Sequence, residues 1–118
     1  MIERLEALLK KALEEPFARI FPGKLEPLEL ASALRDAARD ERVQGEQGTF
    51  APNRYVVSLS PQDHQGLASL SESVIRELQG HVAGYASVQG WRIGPYTQVI
   101  FESSEDLDTG EYRVDASF

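Results

Sequence analysis

A chain of 118 residues, 42% hydrophobic and 26% charged, can bury roughly two-thirds of its unfolded surface, so a single globular domain over residues 1–118 is expected. It has no cysteine, which excludes a disulfide framework, a thiolate nucleophile and a cysteine zinc site. The net charge of -7 is unevenly placed: residues 1–45 carry eight basic and nine acidic side chains, residues 46–118 four basic and ten acidic. That anionic second half disfavours nucleic-acid backbones and anionic lipid surfaces as partners.

In chain order, Ile2, Leu5, Leu8, Leu9, Ala12 and Leu13 recur at three and four and predict an amphipathic helix. Pro16 predicts a kink or a new short helix, and Phe17, Ile20 and Phe21 continue the helical spacing as core residues. After Pro22-Gly23, Pro27 suits a first helical turn, and Leu28, Leu30, Ala31, Leu34, Ala37 and Ala38 predict a second helix over residues 27–42. Gly45 and Gly48 break that pattern. A short strand at 48–51 is expected to pair with a strand at 55–59 across the Pro52-Asn53 turn, since Tyr55, Val57 and Leu59 alternate with more polar neighbours.

Ser60-Pro61-Gln-Asp63 combines an N-cap residue, a proline at the first helical position and an acid in the first turn. A helix is expected from there to residue 89, broken near 66–71, with Leu67, Leu70, Val74, Ile75, Leu78, Val82, Tyr85 and Val88 on its buried side. Gly90-Trp91 ends it. The alternating run from Gln98 and a second one reaching Val114 flank an acidic loop with Asp108-Thr109-Gly110, and together read as a β-hairpin at the centre or rim of the sheet. A strand, crossover helix and strand make neighbours parallel and right-handed. The expected fold is α+β: one small mixed sheet of about four strands, in the order αα-ββ-α-ββ, with helices packed on one face.

The residues offer little to an enzyme. His64 and His81 are seventeen positions apart, far from the three- or four-residue spacing that joins two ligands on a helix, and both read as solvated or hydrogen-bonded surface residues. No serine sits in a Gly-x-Ser-x-Gly elbow, and neither a P-loop nor a Gly-x-Gly-x-x-Gly turn is present. Glu102, Glu105, Asp106, Asp108 and Glu111 do not follow the order of an EF-hand loop and read as a solvated acidic loop. No catalytic residue, metal or cofactor is therefore expected. The basic Gly-x-x-Gly loop of KH domains and the basic-flanked strand aromatics of RRM domains are also missing. No apolar run approaches the ~18 residues of a membrane span, and Met1-Ile-Glu-Arg lacks the layout of a signal peptide. A cytoplasmic protein is expected.

The chain nonetheless resembles a known family. Phe17-Ala-Arg-Ile-Phe21 followed by Gly23 and Pro27-Leu-Glu-Leu30, then Ala51-Pro-Asn53-Arg-Tyr55, Leu59-Ser60, Asp63, Gly90-Trp91 and Thr109-Gly110 before Tyr112-Arg113-Val114 are similar to the N-terminal domain of FhaA-type bacterial signalling proteins. In that family the domain precedes a linker and a forkhead-associated (FHA) domain. The resemblance implies a non-enzymatic signalling or scaffold module that works with Ser/Thr protein kinases and FHA domains. No FHA domain follows Phe118, so the chain is expected to be either an excised piece or a stand-alone version whose FHA partner is separate.

FHA domains bind phosphothreonine and read the residue three positions onward, which makes Thr109 the candidate phosphoacceptor. Glu105, Asp106, Asp108, Gly110, Glu111 and Tyr112 are the candidate partner-recognition residues. Asp108-Thr109-Gly110 is also good turn chemistry and needs no ligand to explain it. The phosphoacceptor reading requires Thr109 to lie on an exposed loop or an edge strand. Two alternatives stand beside it: a constitutive homodimerisation domain joined through the helix of residues 17–21 or an edge strand, and a KH-like nucleic-acid binder.

Overall fold

A computed structural model of the protein describes residues 25, 27–67 and 71–118. The helix expected over residues 2–13, the kink at Pro16 and the apolar residues 17–21 lie outside the described residues.

The first described helix, α1 (Pro27–Asp40), opens on proline at the position where a missing N–H costs nothing. Its three-and-four spacing buries Leu30, Ala31, Leu34 and Ala38 completely or nearly so. The Arg42 guanidinium donates to the Arg39 carbonyl just beyond its end, satisfying one of the orphan acceptors there.

Two short strands follow, β1 (Val43–Gly45) and β2 (Gly48–Ala51), joined by Glu46-Gln47 and paired antiparallel with Val43 opposite Phe50. The central strand is β3 (Arg54–Leu59), in which Tyr55, Val57 and Leu59 have no exposed surface. Two helices follow it, α2 (Pro61–Leu67) and α3 (Ser71–Val88); residues 68–70, within the expected break, lie outside the described residues, as does the expected core residue Leu70. Helix α3 buries Val74, Leu78, His81, Val82 and Ala86 at the same three-and-four spacing.

The end of α3 is set by its backbone. Gly90 takes a φ of 76°, its amide bonds Ser87 O at 3.0 Å, and the Trp91 amide bonds Ala86 O at 2.9 Å. This is the Schellman arrangement, which satisfies two orphan carbonyls and needs a left-handed residue where glycine stands. Three strands complete the chain: β4 (Arg92–Ile93), β5 (Gln98–Ser103) and β6 (Tyr112–Ser117).

The class is α+β, but the sheet differs from expectation. The described residues form two three-stranded sheets, β1-β2-β4 and β5-β3-β6, instead of one sheet of about four strands. Strand β3 runs parallel to β5, as the intervening helices require, and antiparallel to β6. The expected terminal hairpin does not form, because β3 lies between β5 and β6. Those two strands therefore stand about two interstrand spacings apart, roughly 9–10 Å, which a tight turn at Asp108-Thr109-Gly110 could not bridge. Nor does β2 pair with β3; it pairs with β1 on one side and with β4 on the other.

The main core lies between the helices and one face of the β5-β3-β6 sheet. Tyr55, Val57, Leu59 and Val99 meet Leu30, Leu34, Leu67, Leu78 and Val82, and Phe101, Tyr112, Val114 and Ala116 pack at its border. Tyr55 donates its hydroxyl to Pro52 O at 2.7 Å, and burial pushes the phenol's pKa up. The opposite face carries Gln98, Glu102, Arg54, Arg113, Asp115 and Ser117, all exposed.

Candidate functional site

The sequence-predicted residues are gathered in the connection between β5 and β6. Ser104 continues the parallel ladder by donating its amide to Leu59 O at 2.8 Å. Two consecutive turns follow. The Leu107 amide bonds Ser104 O at 3.2 Å, and the Glu111 amide bonds Asp108 O at 2.9 Å. In the second turn Thr109 is the second residue and Gly110 the third, with φ at 88°, the position where a type II turn demands a left-handed residue. The Glu111 carboxylate reaches back to the Asp108 amide at 2.7 Å.

Thr109 is exposed and outside every ladder. Glu105, Asp106, Asp108 and Glu111 are exposed too, while Gly110 is half-buried. Tyr112 is placed differently: it is half-buried in β6 opposite Leu59, and burial together with Glu29 and Asp36 of α1 raises its phenol.

Arg113 organises the acidic loop. Its guanidinium stands 3.3 Å from Asp106 and 3.8 Å from Asp115, and Ser104 Oγ donates to Asp106. The Ser104 hydroxyl and then Arg113 hold the Asp106 carboxyl below its usual range.

Two residues that the sequence presents as a helix start and among those carrying the family resemblance complete the site. Ser60 Oγ accepts the Asp63 amide at 3.1 Å, an N-cap that fixes the first turn of α2. The Asp63 side chain, 7% exposed, then accepts the Gly110 amide at 2.8 Å. A buried carboxylate on α2 thus ties down the residue after Thr109. The sequence marks Asp63 by its place three residues after an N-cap serine and by the family resemblance, and both leave its distant partner open.

An open groove of about 450 Å³ lies between α2 and the loop, lined by Pro61, Gln62, Glu105, Leu107, Asp108 and Thr109. Among the described residues its lining offers a hydroxyl, an amide and two carboxylates, and no basic side chain. Among the described residues no three His, Asp or Glu side chains stand in position to hold a metal ion.

The histidines do not join this constellation. His64 is half-buried with Nε2 3.3 Å from Phe101 O, and as the Nε2–H tautomer it donates there. His81 corrects the surface reading: it is 3% exposed on α3, and neither ring nitrogen has a hydrogen-bond partner among the described residues. Burial, with the Arg35 charge added, lowers its pKa to about 4, so the ring is neutral.

Comparison with known proteins gives one consistent result. Residues 2–115 match the family model described as FhaA, N-terminal domain. The FHA domain-containing protein FhaA of Mycobacterium tuberculosis (strain ATCC 25618 / H37Rv) is 34% identical over 115 residues, which are 96% of this chain and 22% of that protein. This chain therefore spans about a fifth of the length of that relative. The solved chain "Rv0020c_Nter structure" superposes with a TM-score of 0.74 at 33% identity, covering 92% of this chain and 83% of that one. The chain belongs to the family of FhaA N-terminal domains.

Proposed function

We propose that this domain is a non-enzymatic interaction module of a bacterial FHA-based signalling system, and that Thr109 is its phosphoacceptor. One observation carries the reading: Thr109 is exposed at the second position of a turn, outside the ladder that holds the strands on either side of it. A Ser/Thr protein kinase would transfer the γ-phosphoryl group of Mg-ATP to the Thr109 hydroxyl oxygen, releasing ADP and the hydroxyl proton. The product carries about -1.5 to -2 charges that an FHA domain's arginines can pair with. Glu105, Asp106, Asp108, Gly110, Glu111 and Tyr112 supply the flanking recognition surface. The FHA domain of the relative supports this choice of partner. The chain acts as one domain in the cytoplasm, and among the described residues no helix is long and apolar enough to cross a membrane.

Incubating the domain with a bacterial Ser/Thr kinase and mapping the product by mass spectrometry tests the reading. Phosphate on Thr109, with loss of FHA binding in Thr109→Ala, is the expected result. Phosphate elsewhere, with Thr109→Ala binding as well as the parent, overturns it.

A second reading, constitutive homodimerisation, draws on the small sheet. Its edge strand β1 is wholly exposed, and Val43 and Phe50 stand side by side at 53% and 37% exposure. Sedimentation at micromolar concentration decides it: a strict monomer removes the reading.

A further inference from the structure

An FHA ligand is bound as an extended strand, read at the phosphothreonine and three residues beyond. In this fold the part of that ligand beyond the threonine is engaged. Gly110 is held by Asp63, and Tyr112 is registered against Leu59 with its ring half-buried toward α1. The phosphoacceptor hydroxyl is open to a kinase, whereas the peptide that follows it is folded away from a reader.

We propose that the Gly110 amide to Asp63 carboxylate bond is an autoinhibitory clasp, which keeps residues 110–112 out of an FHA groove and which phosphate at Thr109 opens. The inference rests on the phosphoacceptor reading above and concerns how that site is regulated.

Three observations support it. The acceptor belongs to Asp63, a residue only 7% exposed, and its carboxylate spends a lone pair on an amide 47 positions away in sequence, a contact only this folded arrangement makes. Phosphate at 109 would sit one peptide bond from that amide, between Asp108 and Glu111, in a groove whose lining is neutral or acidic. The nearest basic residue in sequence, Arg113, is already engaged by Asp106 and Asp115. Added negative charge therefore meets repulsion from the loop and from Asp63, and the relief lies in releasing the turn. Release frees the backbone of residues 110–112 and uncovers the half-buried Gly110 and Tyr112, the segment a reader needs. Binding and local opening become one equilibrium, in which apparent affinity falls by the fraction of molecules that are open.

The test uses the full 118-residue chain with phosphothreonine installed at 109 by semisynthesis, so that kinase choice is not a variable. It is titrated against the FHA domain of the mycobacterial relative, beside Asp63→Ala and Asp63→Asn versions and a phosphopeptide of residues 103–117. The peptide is expected to bind about tenfold or more tightly than the intact phosphodomain. Asp63→Ala should close most of that gap. Asp63→Asn, which keeps an acceptor oxygen without the charge, should fall between. Amide exchange at Gly110 and Tyr112 should quicken on phosphorylation while Tyr55 and Val57 stay protected. Should Asp63→Ala lose that core protection, Asp63→Asn carries the comparison.

Equal tight binding by peptide, parent and variants overturns the clasp and leaves the phosphoacceptor reading standing. So does unchanged exchange at Gly110 after phosphorylation. A phosphopeptide that does not bind at all overturns the phosphothreonine reading itself, and the clasp falls with it.

Discussion

The Gln79 side-chain oxygen on α3 accepts the Val99 amide of β5 at 3.1 Å. Among the described residues strand β5 is an edge of its sheet, so this amide has no described strand beside it to bond, and Val99 is only 2% exposed. A helix side chain thus closes a sheet edge that would otherwise present a bare donor.

Removing that cap has a defined cost. Gln79→Ala leaves the Val99 amide without its acceptor and is expected to destabilise the fold by about 1–2 kcal/mol, whereas Gln79→Glu keeps an oxygen in reach and should recover much of the loss. Urea denaturation of the three proteins reads the difference. Equal midpoints for Gln79→Ala and the parent would show the amide is satisfied in another way.

His81 gives the domain an acid limit. Its folded pKa of about 4 lies below the ordinary 6.5, so the fold disfavours its protonated form. Above pH 6.5 both folded and unfolded chains carry a neutral ring and the residue has no effect on the pH profile. As pH falls from 6.5 toward 4 the unfolded chain takes up a proton that the folded one refuses, and stability drops by up to about 3 kcal/mol. His81→Leu removes this contribution, so its loss of stability across that window should be smaller than the parent's. Parallel pH profiles for the two would contradict the assignment.

Tyr55 tests a buried hydroxyl. Tyr55→Phe conserves the ring at the centre of the core and leaves the buried Pro52 carbonyl without its donor, at an expected cost of about 1 kcal/mol. Thermal unfolding should show a lower midpoint with unchanged cooperativity.

At Gly90 the demand is on the backbone alone. A Cβ there meets nothing within 4 Å among the described residues, yet φ is 76°. Gly90→Ala should therefore cost about 1 kcal/mol through backbone strain without any clash, and Gly90→Asn should cost less. The same denaturation assay separates the two variants.

Helices and the inner strand are legible in the sequence because their physics is local. The spacing of Leu30, Ala31, Leu34 and Ala38, and of Val74, Leu78 and Val82, follows one face of a helix, and Tyr55, Val57 and Leu59 follow one face of a strand. His81 falls on the same stripe, three residues after Leu78; its polarity suggests the surface, but its position decides its burial. What is not legible is which strands become neighbours. The alternation of β5 and β6 is compatible with a hairpin, and only the insertion of β3 between them rules it out. Strand β1 carries no alternation at all, being three exposed residues held by pairing with β2. At the candidate site the turn around Thr109 is announced by Asp108 and Gly110, whereas the grip of Asp63 on Gly110 spans 47 positions and leaves no local trace.

The step over β3 also sets a rule for how this part of the chain can vary in length. Carrying the chain from one side of β3 to the other takes at least three or four extended residues, since each spans no more than about 3.6 Å. Deletions that cut residues 104–111 below that number would force the last strand alongside β5 and change the strand order. Additions face no such wall, because doubling a loop costs only about 0.6 kcal/mol in closure entropy. The stretch that presents residue 109 can therefore be lengthened, and cannot be reduced to a hairpin turn without changing the strand order.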